Sequence, residues 1–134
     1  MTHTITMRMS LCALLFAASL PAARAATPSE LAAGYAAQAG TAPVASRGEQ
    51  FFTSRHGQEW SCASCHGTPP TGTGKHAATG KAIGPLAPAF NARRFTDPAK
   101  ADKWFRRNCN DVVGRECTAG EKADVIAWLL SLGK

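Results

Sequence analysis

The chain has 134 residues and a formal net charge of +6 at pH 7, and this length suffices for one compact domain. Two of its 15 basic residues lie in the first 25 residues, which we expect to be removed, so 13 basic residues face 9 acidic ones. A surplus of about +4 is too small to indicate nucleic-acid binding, and it suits either docking to an acidic partner or an ordinary solvated surface.

Residues 1–25 are predicted to be a cleaved secretory signal. Arg8 precedes an apolar run over 11–20, and Ala23 and Ala25 give the A-x-A spacing that signal peptidase recognises. The apolar run is too short to span a bilayer, so we expect a periplasmic protein made of residues 26–134. All 3 methionines lie in the removed segment, and the mature chain therefore has none.

Two helices are predicted ahead of residue 60. Thr27 at the N-cap, Pro28 at N1 and Glu30 at N3 form a capping box that begins the first helix, and Gly40 should end it. A second helix is expected within residues 43–57.

The rest of the chain is predicted to be a long loop followed by two helices. Nine of the 24 residues from 67 to 90 are glycine or proline, which is typical of an ordered loop that wraps a cofactor. A third helix should begin at Asp97 and Pro98, and a second capping box, from Thr118 to Glu121, should begin the last one. No segment alternates as a strand would, so the predicted fold class is all-α.

The segment Cys62-Ala63-Ser64-Cys65-His66 is a C-x-x-C-H motif. In such a motif two thiols add to the vinyl groups at one edge of a haem, and the adjacent histidine ligates the iron. A redox dithiol would need a βαβ context, and a zinc site would need further nearby cysteine or histidine ligands. We therefore predict one covalently bound haem c, attached at Cys62 and Cys65, with His66 as the proximal iron ligand.

The sixth ligand of the iron is less determined by the sequence. Without methionine in the mature chain, the usual His/Met electron-carrier site is excluded by counting. The remaining candidates are His56, His76, Asn108, a lysine, or no ligand at all. His56 and His76 have the character of surface and loop histidines, although His76 could reach the iron.

Asn108 is distinguished by its helical register. Ala101, Trp104, Phe105 and Asn108 fall at i, i+3, i+4 and i+7 of the third predicted helix, so the amide is expected to face the interior. Periodicity alone does not separate an iron ligand from a buried asparagine that is hydrogen-bonded to the backbone.

Cys109 and Cys117 are the cysteines left over in the mature chain. In an oxidising compartment they most simply pair as a disulfide. Such a bridge would be a structural staple, or would in addition limit the movement of Asn108.

Several stretches outside the motif are similar to the sphaeroides haem protein family, a branch of the class I c-type cytochromes. They are residues 79–88, 94–97, 107–110 and 120–124. The resemblance implies a class I cytochrome c fold with an additional N-terminal helix and a haem-wrapping loop. It also implies that Asn108 ligates the ferric iron and that Cys109 pairs with Cys117. The related cytochrome c-double-prime has histidine in place of this asparagine, and His76 is outside the family pattern.

The function implied by the resemblance is that of a high-spin cytochrome. It would accept electrons from a dihaem cytochrome c linked to a membrane cytochrome b. Reduction would release Asn108 and open the iron to O2, NO or CO. Two alternatives stand beside this interpretation: an enzyme that oxidises nitric oxide at the haem, and an electron shuttle with bis-histidine ligation through His76 or His56.

Overall fold

A computed structural model describes residues 25–133, so the predicted signal lies outside the described residues apart from its last residue. The five helices are α1 (Pro28–Ala39), α2 (Ala45–Thr53), α3 (Cys62–His66), α4 (Pro98–Val113) and α5 (Ala119–Ser131). Strands β1 (Gly74–Lys75) and β2 (Ala82–Ile83) pair antiparallel, and a 3-10 turn covers Pro88–Phe90. The all-α prediction is confirmed, and the small hairpin is an addition because strands of two residues are too short to show alternation.

Capping boxes begin three of the helices. The two predicted ones are present: Glu30 N donates to Thr27 Oγ1 at 3.1 Å, and Glu121 N donates to Thr118 Oγ1 at 3.2 Å. A third box at α3 was missed, because Ser61 pairs there with Ser64 rather than with the glutamate or glutamine of the usual pattern. Local side-chain chemistry therefore determines where α1, α3 and α5 begin.

Helix α5 is the centre of the core. It packs against α1 on one side and α2 on the other, with Ile126 and Leu129 fully buried. Its buried surface is wider than the single stripe that the sequence indicates, because two helices cover it. No helix within residues 25–133 has the length and apolar character that a membrane crossing requires.

A buried carboxylate joins α2 to α5. Asp124 is 6% exposed, and it accepts hydrogen bonds from Val44 N at 2.6 Å and from Arg47 Nε at 2.7 Å. A second nitrogen of Arg47 donates at 3.0 Å to Asp124 Oδ1, the oxygen that also accepts from Val44 N. The paired guanidinium and the backbone donor compensate for the desolvation of this charge.

Gly48 lies where α2 comes close to the backbone of α5. A Cβ atom there would lie 2.8 Å from Val125 N and closer still to the Asp124 carbonyl oxygen. We therefore expect Gly48→Ala to lower the free energy of unfolding by about 1–3 kcal/mol, because the backbones must separate. Urea denaturation followed by circular dichroism measures this.

Gly34 is the matched control, since it is also helical and a Cβ atom there would meet nothing within 4 Å. Gly34→Ala should raise the stability by about 0.5–1 kcal/mol, the usual gain of alanine over glycine in a helix. Equal effects of the two substitutions would contradict the close approach at Gly48.

Candidate haem-binding site

The first part of the site is the short helix α3. Cys62 and Cys65 lie three residues apart on it, which places both thiols on one face, and neither is in a disulfide. Ser61 Oγ accepts from Ser64 N at 3.2 Å, and Ser64 Oγ accepts from Ser61 N at 3.0 Å. The helix is therefore held from its first turn, with two free half-buried thiols beside an imidazole. This donor set fits a covalently attached haem c.

The surroundings of His66 keep its imidazole neutral. Burial, and then the positive charge of Arg94, lower the pKa of His66 to about 4. A neutral ring has the lone pair that an iron ligand needs. The His66 ring lies 6.0 Å from the ring of Phe52, which is 2% exposed, so buried aromatic packing supports it. Burial also raises the pKa of the Cys62 thiol to about 11.

The loop after His66 packs back onto α3. A Cβ atom at Gly74 would lie 3.0 Å from His66 Cα and would overlap the Cys65 carbonyl oxygen. Ala77 N donates to Cys65 Sγ at 3.2 Å. The predicted cofactor-wrapping loop thus contacts both the backbone and one thiol of the motif.

Arg94 donates hydrogen bonds to the backbone of another part of this loop. Its Nε donates to the Pro85 carbonyl oxygen at 2.9 Å, and one terminal nitrogen donates to the Gly84 carbonyl oxygen at 2.8 Å. Within residues 25–133 it has no carboxylate partner, and burial lowers its pKa from the usual value. A half-buried cation is therefore within electrostatic reach of His66.

The structure corrects the predicted orientation of Asn108. The buried residues of α4 are Ala101, Cys109 and Val113, whereas Trp104 is 44% exposed and Asn108 is exposed. The expectation that the amide faces the protein interior is wrong, because the core stripe of α4 repeats every four residues from Ala101 and leaves Asn108 at its flank. Asn108 also has no side-chain hydrogen bond to any described residue, unlike a buried asparagine bonded to the backbone.

The predicted disulfide between Cys109 and Cys117 is confirmed. Both cysteines are buried, at 5% and 7% exposure, and they pack with Val113. The bridge therefore fixes the residue directly after Asn108 to the segment that precedes α5.

The two candidate histidines lie in different surroundings. His56 Nε2 is 2.7 Å from the Phe51 carbonyl oxygen, and its ring packs against the Phe51 ring at 4.4 Å. His76 lies in the β1–β2 turn, where its Nδ1 accepts from Thr79 N at 3.3 Å. His56 is thus engaged with its own segment, while the Nε2 of His76 has no partner among the described residues.

Comparison with known proteins gives consistent matches. A family model described as a domain of unknown function, DUF1924, matches residues 38–129. The chain is 49% identical over 107 residues to the cytochrome c-type protein SHP of Cereibacter sphaeroides, covering 77% of this chain and 82% of that protein. It is 45% identical over 94 residues to cytochrome c'' of Methylophilus methylotrophus, covering 67% and 65%.

Solved structures of the same two proteins are also similar. Oxidised SHP, an oxygen-binding cytochrome c, matches with a TM-score of 0.75 and 48% identity over 80% of this chain and 98% of that one. Oxidised cytochrome c'' of Methylophilus methylotrophus matches with a TM-score of 0.69 and 39% identity, over 78% and 93%. A solution structure of cytochrome c'', which addresses haem-ligand detachment, gives a TM-score of 0.68 and 39% identity over 80% and 94%.

Proposed function

The chain belongs to the c-type cytochrome family that includes SHP and cytochrome c'', and on this basis we propose that it binds diatomic gases at its reduced haem. Its cofactor is one haem c. We propose Cys62 and Cys65 of α3 as the attachment residues and His66 as the proximal ligand. SHP, its relative, is an oxygen-binding cytochrome c, and we extend this activity to the present chain.

The bound haem supplies an iron that changes between the ferric and ferrous states and that binds small molecules where its sixth position is weakly held. The chain provides a neutral imidazole at His66 for the closed side. For the other side we propose Asn108, a residue that the mature chain offers in place of methionine.

The observation that carries this proposal is the state of the Asn108 amide. It is exposed, it is not hydrogen-bonded to any described residue, and it directly precedes the buried disulfide at Cys109. An amide oxygen is a hard, neutral donor that suits Fe(III) and binds Fe(II) poorly. Asn108 would therefore hold the oxidised iron and bind the reduced iron poorly, and its NH2 group could then donate a hydrogen bond to a diatomic ligand.

Absorption spectra of the reduced protein with and without CO test the function. We expect a high-spin spectrum without CO and a clear shift of the Soret band with it, because no strong sixth ligand competes for the ferrous iron. The oxidised protein with CO is the control and should not change. A low-spin, six-coordinate reduced spectrum that CO does not alter would contradict the proposal and would favour ligation by His76.

We also propose that the protein works in the periplasm after removal of residues 1–25, with a dihaem cytochrome c as electron donor and a membrane cytochrome b behind it. The disulfide between Cys109 and Cys117 supports an oxidising compartment. The small positive surplus of charge supports docking to an acidic redox partner.

A further inference from the structure

Three helices meet at one carboxylate away from the haem motif. Tyr35 OH of α1 donates to Asp102 Oδ1 of α4 at 2.7 Å, and Lys122 Nζ of α5 donates to the same oxygen at 3.0 Å. We refer to Tyr35, Asp102 and Lys122 as the Asp102 node. Tyr35 is 3% exposed, so its hydroxyl group has little access to water as an alternative partner.

The charge states of the node preserve these bonds. Burial and the bond to Asp102 raise the pKa of Tyr35, which keeps its hydroxyl protonated as a donor. The hydrogen bond from Tyr35 is the largest cause that lowers the pKa of Asp102, which keeps the carboxylate charged as an acceptor. Hydrogen bonds to a charged group are stronger than those between neutral groups.

Aromatic contacts extend the node along α4. The Tyr35 and Phe105 rings meet edge to face with centroids 6.0 Å apart, and Lys122 Nζ lies 5.0 Å from the Tyr35 centroid and 5.9 Å from that of Phe105. Phe105 is half-buried and lies one helical turn ahead of Asn108. Tyr35 and Lys122 therefore contact α4 at two residues, Asp102 and Phe105.

Helix α4 is thus held at two places on its core side. One is the Asp102 node, and the other is the disulfide at Cys109. Asn108 lies between them on the same helix, and its own side chain has no protein partner among the described residues. Because no hydrogen bond to any described residue holds the Asn108 amide, its position depends on where the backbone of α4 lies.

We propose that Tyr35, Asp102 and Lys122 are positioning residues, which place α4 so that Asn108 can hold the sixth position of the oxidised iron. This inference rests on the proposed function. It also gives α1, which contributes no ligand, a role in determining how firmly the distal side is closed.

Tyr35→Phe tests the proposal, because it keeps the ring contacts with Phe105 and Lys122 and removes the hydrogen bond to Asp102. We expect the oxidised variant to bind cyanide about three- to tenfold more tightly, since the fraction of protein with Asn108 detached increases. Its electron paramagnetic resonance spectrum should show more five-coordinate high-spin iron. Lys122→Met, which removes the second hydrogen bond, should change both measurements in the same direction.

Thr27→Ala is the matched control for loss of stability. It removes the capping box of α1 without touching the Asp102 node, and it should leave cyanide binding at the wild-type level. If Tyr35→Phe and Lys122→Met both bind cyanide as the wild type does, the proposal is overturned. An equal increase in Thr27→Ala would also overturn it, because general destabilisation would then explain the effect.

The route of the effect is measured by combining Tyr35→Phe with Asn108→Ala. If the Asp102 node acts through Asn108, Tyr35→Phe should leave cyanide affinity unchanged in the Asn108→Ala background. An undiminished effect there would overturn the positioning role alone. An Asn108→Ala variant with wild-type spectrum and cyanide affinity would instead overturn the ligand role of Asn108 in the proposed function, and this inference with it, whereas gas binding itself is tested separately by the CO spectra.

Discussion

Asn108→His is expected to convert the oxidised iron from high-spin to low-spin and to slow CO binding to the reduced protein by about tenfold or more. An imidazole nitrogen is a stronger-field ligand than an amide oxygen, and it binds ferrous as well as ferric iron. The distal side would therefore stay closed after reduction, and CO would have to wait for the histidine to detach. Electron paramagnetic resonance of the oxidised protein and stopped-flow mixing of the reduced protein with CO measure the two effects.

The control for this substitution is Asn110→His, which adds the same imidazole to the same helix. Asn110 is exposed, two residues further along α4, and its Nδ2 donates to the Arg106 carbonyl oxygen at 2.8 Å. Two residues on a helix correspond to a rotation of about 200°, so this side chain points away from that of Asn108. The control should keep the high-spin spectrum. An unchanged spectrum in Asn108→His would show that Asn108 is not at the iron.

Local rules were sufficient to predict the helices and the proximal half of the site. Thr27 and Glu30 begin α1 because the capping box involves residues only three apart. The C-x-x-C-H motif likewise lies within one turn of α3, so its chemistry can be read from adjacent letters. The disulfide was predictable because the predicted removal of residues 1–25 leaves few cysteines to pair.

The features that the sequence did not reveal depend on contacts between distant residues. Asp124 accepts from Val44, 80 residues away, and Asp102 accepts from Tyr35, 67 residues away. Each of these acidic residues appears in the sequence as an ordinary polar position on a helix. The orientation of Asn108 was mispredicted for a similar reason. A stripe of apolar residues on α4 does not show which flank of the helix the core covers.

The second large effect is expected from Gly74→Ala, which should weaken the attachment of the loop to the haem-binding helix. The added Cβ atom would overlap the Cys65 carbonyl oxygen and would lie 3.0 Å from His66 Cα. These are backbone atoms of α3, so they cannot move aside as the end of a flexible side chain could. We expect a loss of about 1–3 kcal/mol in the free energy of unfolding, and a fall in the thermal midpoint of roughly 4 °C or more.

Gly72→Ala separates this contact from a general effect of glycine in the loop. Gly72 lies two residues earlier, it is exposed, and a Cβ atom there would meet nothing within 4 Å. Gly72→Ala should therefore keep the wild-type thermal midpoint and haem content. Gly74→Ala should lower both, because displacing the hairpin also removes the Ala77 N–H bond to Cys65 Sγ. If the two variants melt together, the hairpin does not support α3, and the position of His66 must depend on the aromatic packing around Phe52 instead.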